Sequence, residues 1–158
     1  MTYVLGPTSL AKLATVDPRL QAIVKRAIEL TEVDFTVLEG ARSQKRQYEL
    51  YAQGRSVAEL RKAGVPMSVL AQPRLPKVTW VLKSNHFVDP ETGFGRAVDL
   101  VPYPVDWNDV SKFNKISAAM FEAAKELGDK IRWGADWDRD GNPRERGETD
   151  SPHFELVG

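Results

Sequence analysis

The 158-residue chain contains no cysteine. No disulfide braces it, and no thiolate can bind a metal or serve as a nucleophile. The chain must therefore hold together on a hydrophobic core, and its length suits one domain with one such core. Apolar residues make up 42% and charged residues 28%, ordinary values for a globular domain. Any metal site must draw on His, Asp and Glu. The supply of imidazole is small, because the only histidines are His86 and His153.

Lys plus Arg and Asp plus Glu both number 22, so the net charge is zero. Duplex-DNA binders carry a basic excess, which argues against nucleic acid as the main partner. The zero hides an asymmetry. Residues 1–83 carry 13 basic and 7 acidic side chains, whereas residues 84–158 carry 9 and 15. The acidic half is the cheaper place to build a cation site; equally, the two halves pair electrostatically within one fold. Met1 to Leu13 shows no charged segment followed by a long apolar run, so no Sec-type signal is expected there. Nothing later is long and apolar enough to insert in a membrane. The expectation is a protein held in the cytoplasm until something releases it.

Local patterns place helices first and strands late. Asp17-Pro18 reads as an N-cap followed by proline at the first helical position. Leu20, Ile23, Val24, Ala27 and Ile28 then share one helical face, with an end expected near Glu32. Phe35 to Leu38 reads as a short strand closed by Gly40. Ser43 caps a predicted helix to about Gln53, and Ser56 caps another over Val57 to Ala63, stopped by Gly64. Pro66, Pro73 and Pro76 punctuate a loop or arm. Val78 to Leu82 and Ala97 to Val101 are β-rich, with the turn Asp89-Pro90-Glu91-Thr92-Gly93 between them. They are expected to form a hairpin or neighbouring strands. Ile116, Met120, Phe121, Ala124 and Leu127 mark a long helix stopped by Gly128. A short strand, His153 to Val157, ends the chain. The fold class expected is α+β, a small antiparallel sheet with flanking helices. No second domain is expected in residues 1–158.

The chemistry concentrates around the two histidines. A cysteine-free zinc hydrolase needs three protein ligands and one open position, and two His with one carboxylate meet that need. Near His86 the carboxylates are Asp89 and Asp99. Asp99 lies inside the apolar run Ala97-Val98-Asp99-Leu100-Val101, where a carboxylate is costly unless something pairs with it. Asp150 precedes His153 as Asp-x-x-His, close enough to act as a general base; Glu148 and Glu155 are the next candidates. The bland alternative is a pair of hydrogen-bonded structural histidines at strand ends. Arg42, on its own, reads as a surface or helix-start salt bridge.

Four segments resemble one family. Ser84-Asn85-His86 followed by Gly95-Arg96-Ala97-Val98-Asp99 resembles the Ser-x-His…Gly-x-Ala-x-Asp motif of a family of zinc peptidases. That family takes in D-Ala-D-Ala carboxypeptidases and dipeptidases, and phage L-alanyl-D-glutamate endopeptidases. Asp150-Ser151-Pro152-His153 is similar to its closing Asp/Glu-x-x-His segment. Gly40-Ala41-Arg42-Ser43 with Gln47 resembles its Gly-x-Arg-Ser/Thr…Gln segment. Arg132-Trp133-Gly134-Ala135-Asp136-Trp137 resembles the stretch before the last metal ligand in the phage enzymes. In order, the segments span roughly Leu20 to Leu156.

The resemblance implies the fold of the Hedgehog and DD-peptidase group and the roles that follow. His86, Asp99 and His153 hold Zn2+; Asp150 is the catalytic base, then the acid. Arg42 binds and polarises the scissile carbonyl, and Ser84 contacts substrate or steadies the first ligand. The gap between His86 and Asp99 is longer than usual for the family, which leaves Asp89 as an alternative ligand. The function implied is a monomeric phage endolysin that waits in the host cytoplasm and cuts the L-Ala–D-Glu bond of peptidoglycan stem peptides. A D-Ala-D-Ala carboxypeptidase or dipeptidase, and a non-catalytic Hedgehog-like zinc domain, are the alternatives. Separately, Asp136-x-Asp138-x-Asp140-Gly141 matches the first half of a calcium loop. It reads either as a Ca2+ site or as a solvated acidic turn.

Overall fold

The computed structural model describes residues 3–42, 44–79, 86, 88–89, 91–136, 139, 141, 143–144 and 150–157. The elements are α1 (Pro7–Leu13), α2 (Pro18–Leu30), β1 (Phe35–Glu39), α3 (Gln44–Ala52), α4 (Val57–Lys62), β2 (Ala97–Pro102), α5 (Val110–Leu127), β3 (Ile131–Trp133) and β4 (His153–Leu156). The four strands form one antiparallel sheet in the order β1-β2-β4-β3. The α+β expectation holds.

Helix α2 starts where the sequence says it should. The Asp17 carboxylate accepts from the Arg19 N–H at 2.9 Å, satisfying a donor that the first turn leaves orphaned. Leu20, Ile23, Val24, Ala27 and Ile28 are all buried. Helix α4 carries a full capping box, Ser56 with Glu59. Helix α5 ends at Gly128, whose φ of 75° suits a residue without a Cβ. Its stripe differs from expectation. Phe121 and Leu127 are exposed; the buried residues are Phe113, Ile116, Ser117, Ala119, Met120, Ala123 and Ala124. Helix α5 packs against α2 and the sheet; Ile116, Met120 and Ala124 are buried as expected, and Ala119 and Ala123 are buried where Phe121 and Leu127 are not. Helix α1 gives little sequence signal, since Gly6 caps it with no side-chain bond. It is docked by Ser9, whose hydroxyl meets Thr36 Oγ1 at 2.6 Å and accepts from the Val37 N–H at 3.1 Å.

The expected pairing of Val78–Leu82 with Ala97–Val101 falls largely outside the described residues. Residues 80–82 lie outside the described residues, and Val78 and Thr79 form no strand. Both edges of β2 are taken, by β1 and β4, while the Thr79 carbonyl accepts from Arg55 instead. The Asp89–Gly93 turn closes on itself: the Gly93 N–H donates to the Asp89 carbonyl at 2.7 Å, and Val88 bridges to Gly95. The proline-punctuated stretch is an ordered loop. The Gly54 N–H donates to the Gln72 carbonyl at 2.8 Å, and Val69 and Ala71 pack on a small second core of Ala52, Leu60 and Val65. The Ser43 cap lies outside the described residues.

Sheet register prepares the site. Val98 and Leu100 point into the main core with Phe154 and Leu156. Alternation along the strands then sends Asp99 to the other face. Glu39 stands opposite Asp99 on one side and His153 on the other, a row of three polar side chains across three strands.

Candidate metal centre

Asp99, His86 and His153 converge. Each offers one ligand atom, all within 4.8 Å of one another. His86 Nε2 lies 3.2 Å and His153 Nδ1 lies 3.4 Å from Asp99 Oδ1. The two imidazoles meet edge to face, centroids 5.0 Å apart and planes at 78°. Both histidines are buried. Asp99 Oδ1 is itself a buried oxygen without a hydrogen bond. A cation among the three atoms satisfies that orphaned oxygen and both nitrogens together, and two His with one carboxylate is a zinc donor set. The residues present fit a metal. Asp89 is elsewhere: its carboxylate accepts from the Glu91 N–H at 2.9 Å and shapes the turn. The long His86-to-Asp99 gap is therefore a closed loop that leaves Asp99 in the cluster.

Asp150 stands beside the centre, its Oδ2 3.9 Å from His153 Nδ1 with the side chain 53% exposed. Protein packed around the carboxyl pushes its pKa up, and the nearby Asp99 charge adds to this, while His153, His86 and Arg42 oppose it. Solvent on the open side screens the effect. Burial likewise raises Asp99, but His153 and His86 outweigh it and hold that carboxyl well below the usual range. Burial disfavours charge on His153, yet Asp99 and Glu155 prevail and raise it to about 9 in the metal-free chain.

Arg42 does form a salt bridge at a helix start, and its charge reaches Asp150. Its Nε donates to Glu39 Oε1 at 2.7 Å, its Nη2 to Glu39 Oε2, and its Nη1 to Gln47 Oε1 at 2.6 Å. Its backbone N–H donates to the His86 carbonyl at 2.6 Å. Gln47 is fully buried. Ser84 lies outside the described residues, as do Asp138, Asp140 and Glu148. Asp136 is described, and its Oδ2 accepts from the Gly141 N–H at 3.0 Å.

Three site residues were not singled out as such from sequence. Glu155, in sequence a candidate base, meets His153 Nε2 at 2.9 Å, the nitrogen remote from Asp99. Strand alternation from His153 was the available signal, since residues two apart share a face. Glu39 gave no such signal; only sheet register puts it beside Asp99. Gly134 allows a close approach: a Cβ there would collide with the Asp150 carbonyl oxygen.

Fold and cluster together define a class: a small α+β domain with a buried two-histidine, one-carboxylate centre able to hold a metal, and a further carboxylate beside it. The comparisons sharpen the class. The chain belongs to the phage L-alanyl-D-glutamate peptidase family, whose model matches residues 1–66 and 76–157; it is a peptidase. It is 35% identical over 163 aligned positions to the L-alanyl-D-glutamate peptidase of Escherichia phage T5, covering 99% of this chain and 100% of that one. It also resembles the crystal structure of the Serratia marcescens L-Ala D-Glu endopeptidase ChiX. That match has 28% identity and a TM-score of 0.63, over 98% of this chain and 90% of that one. Among the described residues no helix is long and apolar enough to cross a membrane.

Proposed function

We propose that this chain is a zinc-dependent phage endolysin that hydrolyses the L-Ala–D-Glu bond of peptidoglycan stem peptides. The observation that carries this is the convergence of His86, Asp99 and His153 in a chain similar over its whole length to a peptidase named for that bond. Zinc is the metal favoured by two imidazoles and one carboxylate, and when bound it supplies Lewis acidity to water and to the scissile carbonyl. Asp150 accepts the proton of the attacking water and returns it to the leaving amine nitrogen, so water adds across the C–N bond with no net change at the protein. Its raised pKa suits a proton acceptor. Arg42, held by Glu39 and Gln47, donates to the carbonyl oxygen as negative charge gathers there. Ser84 contacts substrate or steadies His86, on family resemblance. The enzyme acts as a monomer at the cell wall, after release from the host cytoplasm.

Mass spectrometry of digested purified sacculi tests the reading. New peptides should begin with D-Glu, leaving L-Ala on the glycan. Release of D-Ala alone would move the chain to the carboxypeptidase branch, and new reducing sugar ends would end the peptidase proposal. Elemental analysis should find one zinc per chain. A second cation, calcium, is proposed at Asp136, Asp138 and Asp140. Its support is Gly141, which stands at the sixth loop position with φ 86°, where calcium loops place glycine. Calorimetric titration with Ca2+ that gives no heat would remove it.

A further inference from the structure

His153 spends its two ring nitrogens on different acids. Nδ1 faces Asp99 at 3.4 Å and Asp150 at 3.9 Å, while Nε2 meets Glu155 Oε1 at 2.9 Å. His86 is held in the opposite sense: Nδ1 meets the Gly40 carbonyl at 2.8 Å, and Nε2 faces Asp99 at 3.2 Å. A carbonyl or carboxylate oxygen only accepts, so the ring nitrogen bonded to it carries the hydrogen. Each neutral ring has only one hydrogen, and the closer oxygens, at 2.8 Å on His86 Nδ1 and 2.9 Å on His153 Nε2, take it ahead of Asp99 Oδ1 at 3.2 and 3.4 Å; a cation on Asp99 Oδ1 then meets the lone pairs of His86 Nε2 and His153 Nδ1. The remote partners differ in charge, however. His86 rests on a neutral carbonyl; His153 rests on a buried carboxylate whose side chain is 9% exposed.

Burying a carboxylate is costly unless it is paired and hydrogen-bonded, and the His153 ring supplies such a partner. Its position follows from the strand: Glu155 is two residues beyond His153 in β4 and shares its face. Arg132 stands opposite Glu155 in register, which makes a purely structural pairing the rival account. We propose that Glu155 is a positioning residue for the metal centre. It fixes His153 in the Nε2–H tautomer, orients the ring, and by its charge strengthens Nδ1 as a ligand. The inference rests on the reading of His86, Asp99 and His153 as a metal centre.

The test measures Zn2+ affinity by competition with a chromophoric chelator for wild type, Glu155→Ala and Glu155→Gln, alongside Tm with and without Zn2+. Loss of such a partner weakens metal affinity by about 10- to 100-fold, expected here for Glu155→Ala. Glu155→Gln keeps an acceptor for Nε2–H and should lose less than about tenfold. The rise in Tm on adding Zn2+ should shrink in both, most in the alanine variant. Long-range proton–nitrogen NMR of the zinc-loaded wild type should place the His153 hydrogen on Nε2 and the His86 hydrogen on Nδ1; this readout stands even if Glu155→Ala fails to fold. Unchanged zinc affinity in Glu155→Gln and Glu155→Ala, with equal Tm losses in both metal states, makes Glu155 structural and overturns the proposal. A His153 hydrogen on Nδ1 overturns it as well. A wild type that binds no Zn2+ fails differently, since it removes the metal centre itself.

Discussion

Replacing Gly134 by alanine tests whether one close backbone approach sets the geometry of the centre. Gly134 follows β3, gives its N–H to the His153 carbonyl at 2.8 Å and accepts from the Asp150 N–H at 3.2 Å. A Cβ there would collide with the Asp150 carbonyl oxygen and sit 2.8 Å from Asp150 Cβ and 3.0 Å from His153 Cβ. Those atoms are backbone or first side-chain carbons, so no rotamer change relieves them; the 150–153 turn must move off β3. Overpacking of this kind costs ~1–3 kcal/mol, and the stiffer unfolded chain returns ~0.4–1 kcal/mol. The net loss is at most about 2.5 kcal/mol, a fall in Tm of up to about 10 °C in a chain this long. Turnover is expected to suffer far more, since a displacement of ~1 Å at a catalytic group costs ~100-fold. Calorimetry and sacculus digestion on the same preparation read the two quantities. A folded Gly134→Ala protein with turnover within about threefold of wild type would refute the claim that this contact spaces Asp150 from His153. Gly6→Ala, where no atom lies within 4 Å of the added carbon, is the control: it should lose no more than about 1 kcal/mol as a poorer N-cap of α1 and leave turnover unchanged.

Asp150→Asn should lower kcat by about 100- to 10,000-fold and keep its metal, because an amide cannot take the water's proton; elemental analysis beside kinetics decides, and near-normal turnover removes Asp150 as the base. Asp99→Asn, His86→Ala and His153→Ala should instead lose metal and activity together in the same two measurements. For the metal-free chain, His153 is raised to about 9 from 6.5, so its stabilising contribution is full below pH 6.5 and is lost as pH rises to 9. Metal binding displaces protons and runs the other way, so Tm in chelator should fall over that window while the gain on adding Zn2+ grows; a gain that shrinks with pH would contradict this. Phe154 is fully buried, and Phe154→Ala should cost ~3–5 kcal/mol in denaturant unfolding, a loss under about 1 kcal/mol being incompatible with its place in the core.

The sequence by itself determined what depends on near neighbours. Helix α2 and its buried face follow from Asp17-Pro18 and from apolar spacing, because capping and amphipathicity act within a turn or two. Asp99 declared itself by being a charge in an apolar strand, and Asp150 by standing one turn from His153. Phe121 and Leu127 are apolar at nearly helical spacing yet exposed, because the buried face of α5 is set by what it packs against, α2 and the sheet. Which strands flank β2 is likewise a long-range matter, and among the described residues they are β1 and β4. Sheet register set Glu39 and His153 on either side of Asp99, bringing together residues from positions 39, 99 and 153. Glu155 was within reach of the sequence, since alternation along one strand puts it on the face of His153; which ring nitrogen it meets comes from the folded geometry. No local pattern carries the register, because the pairing of strands separated by tens of residues is decided by how the whole core packs.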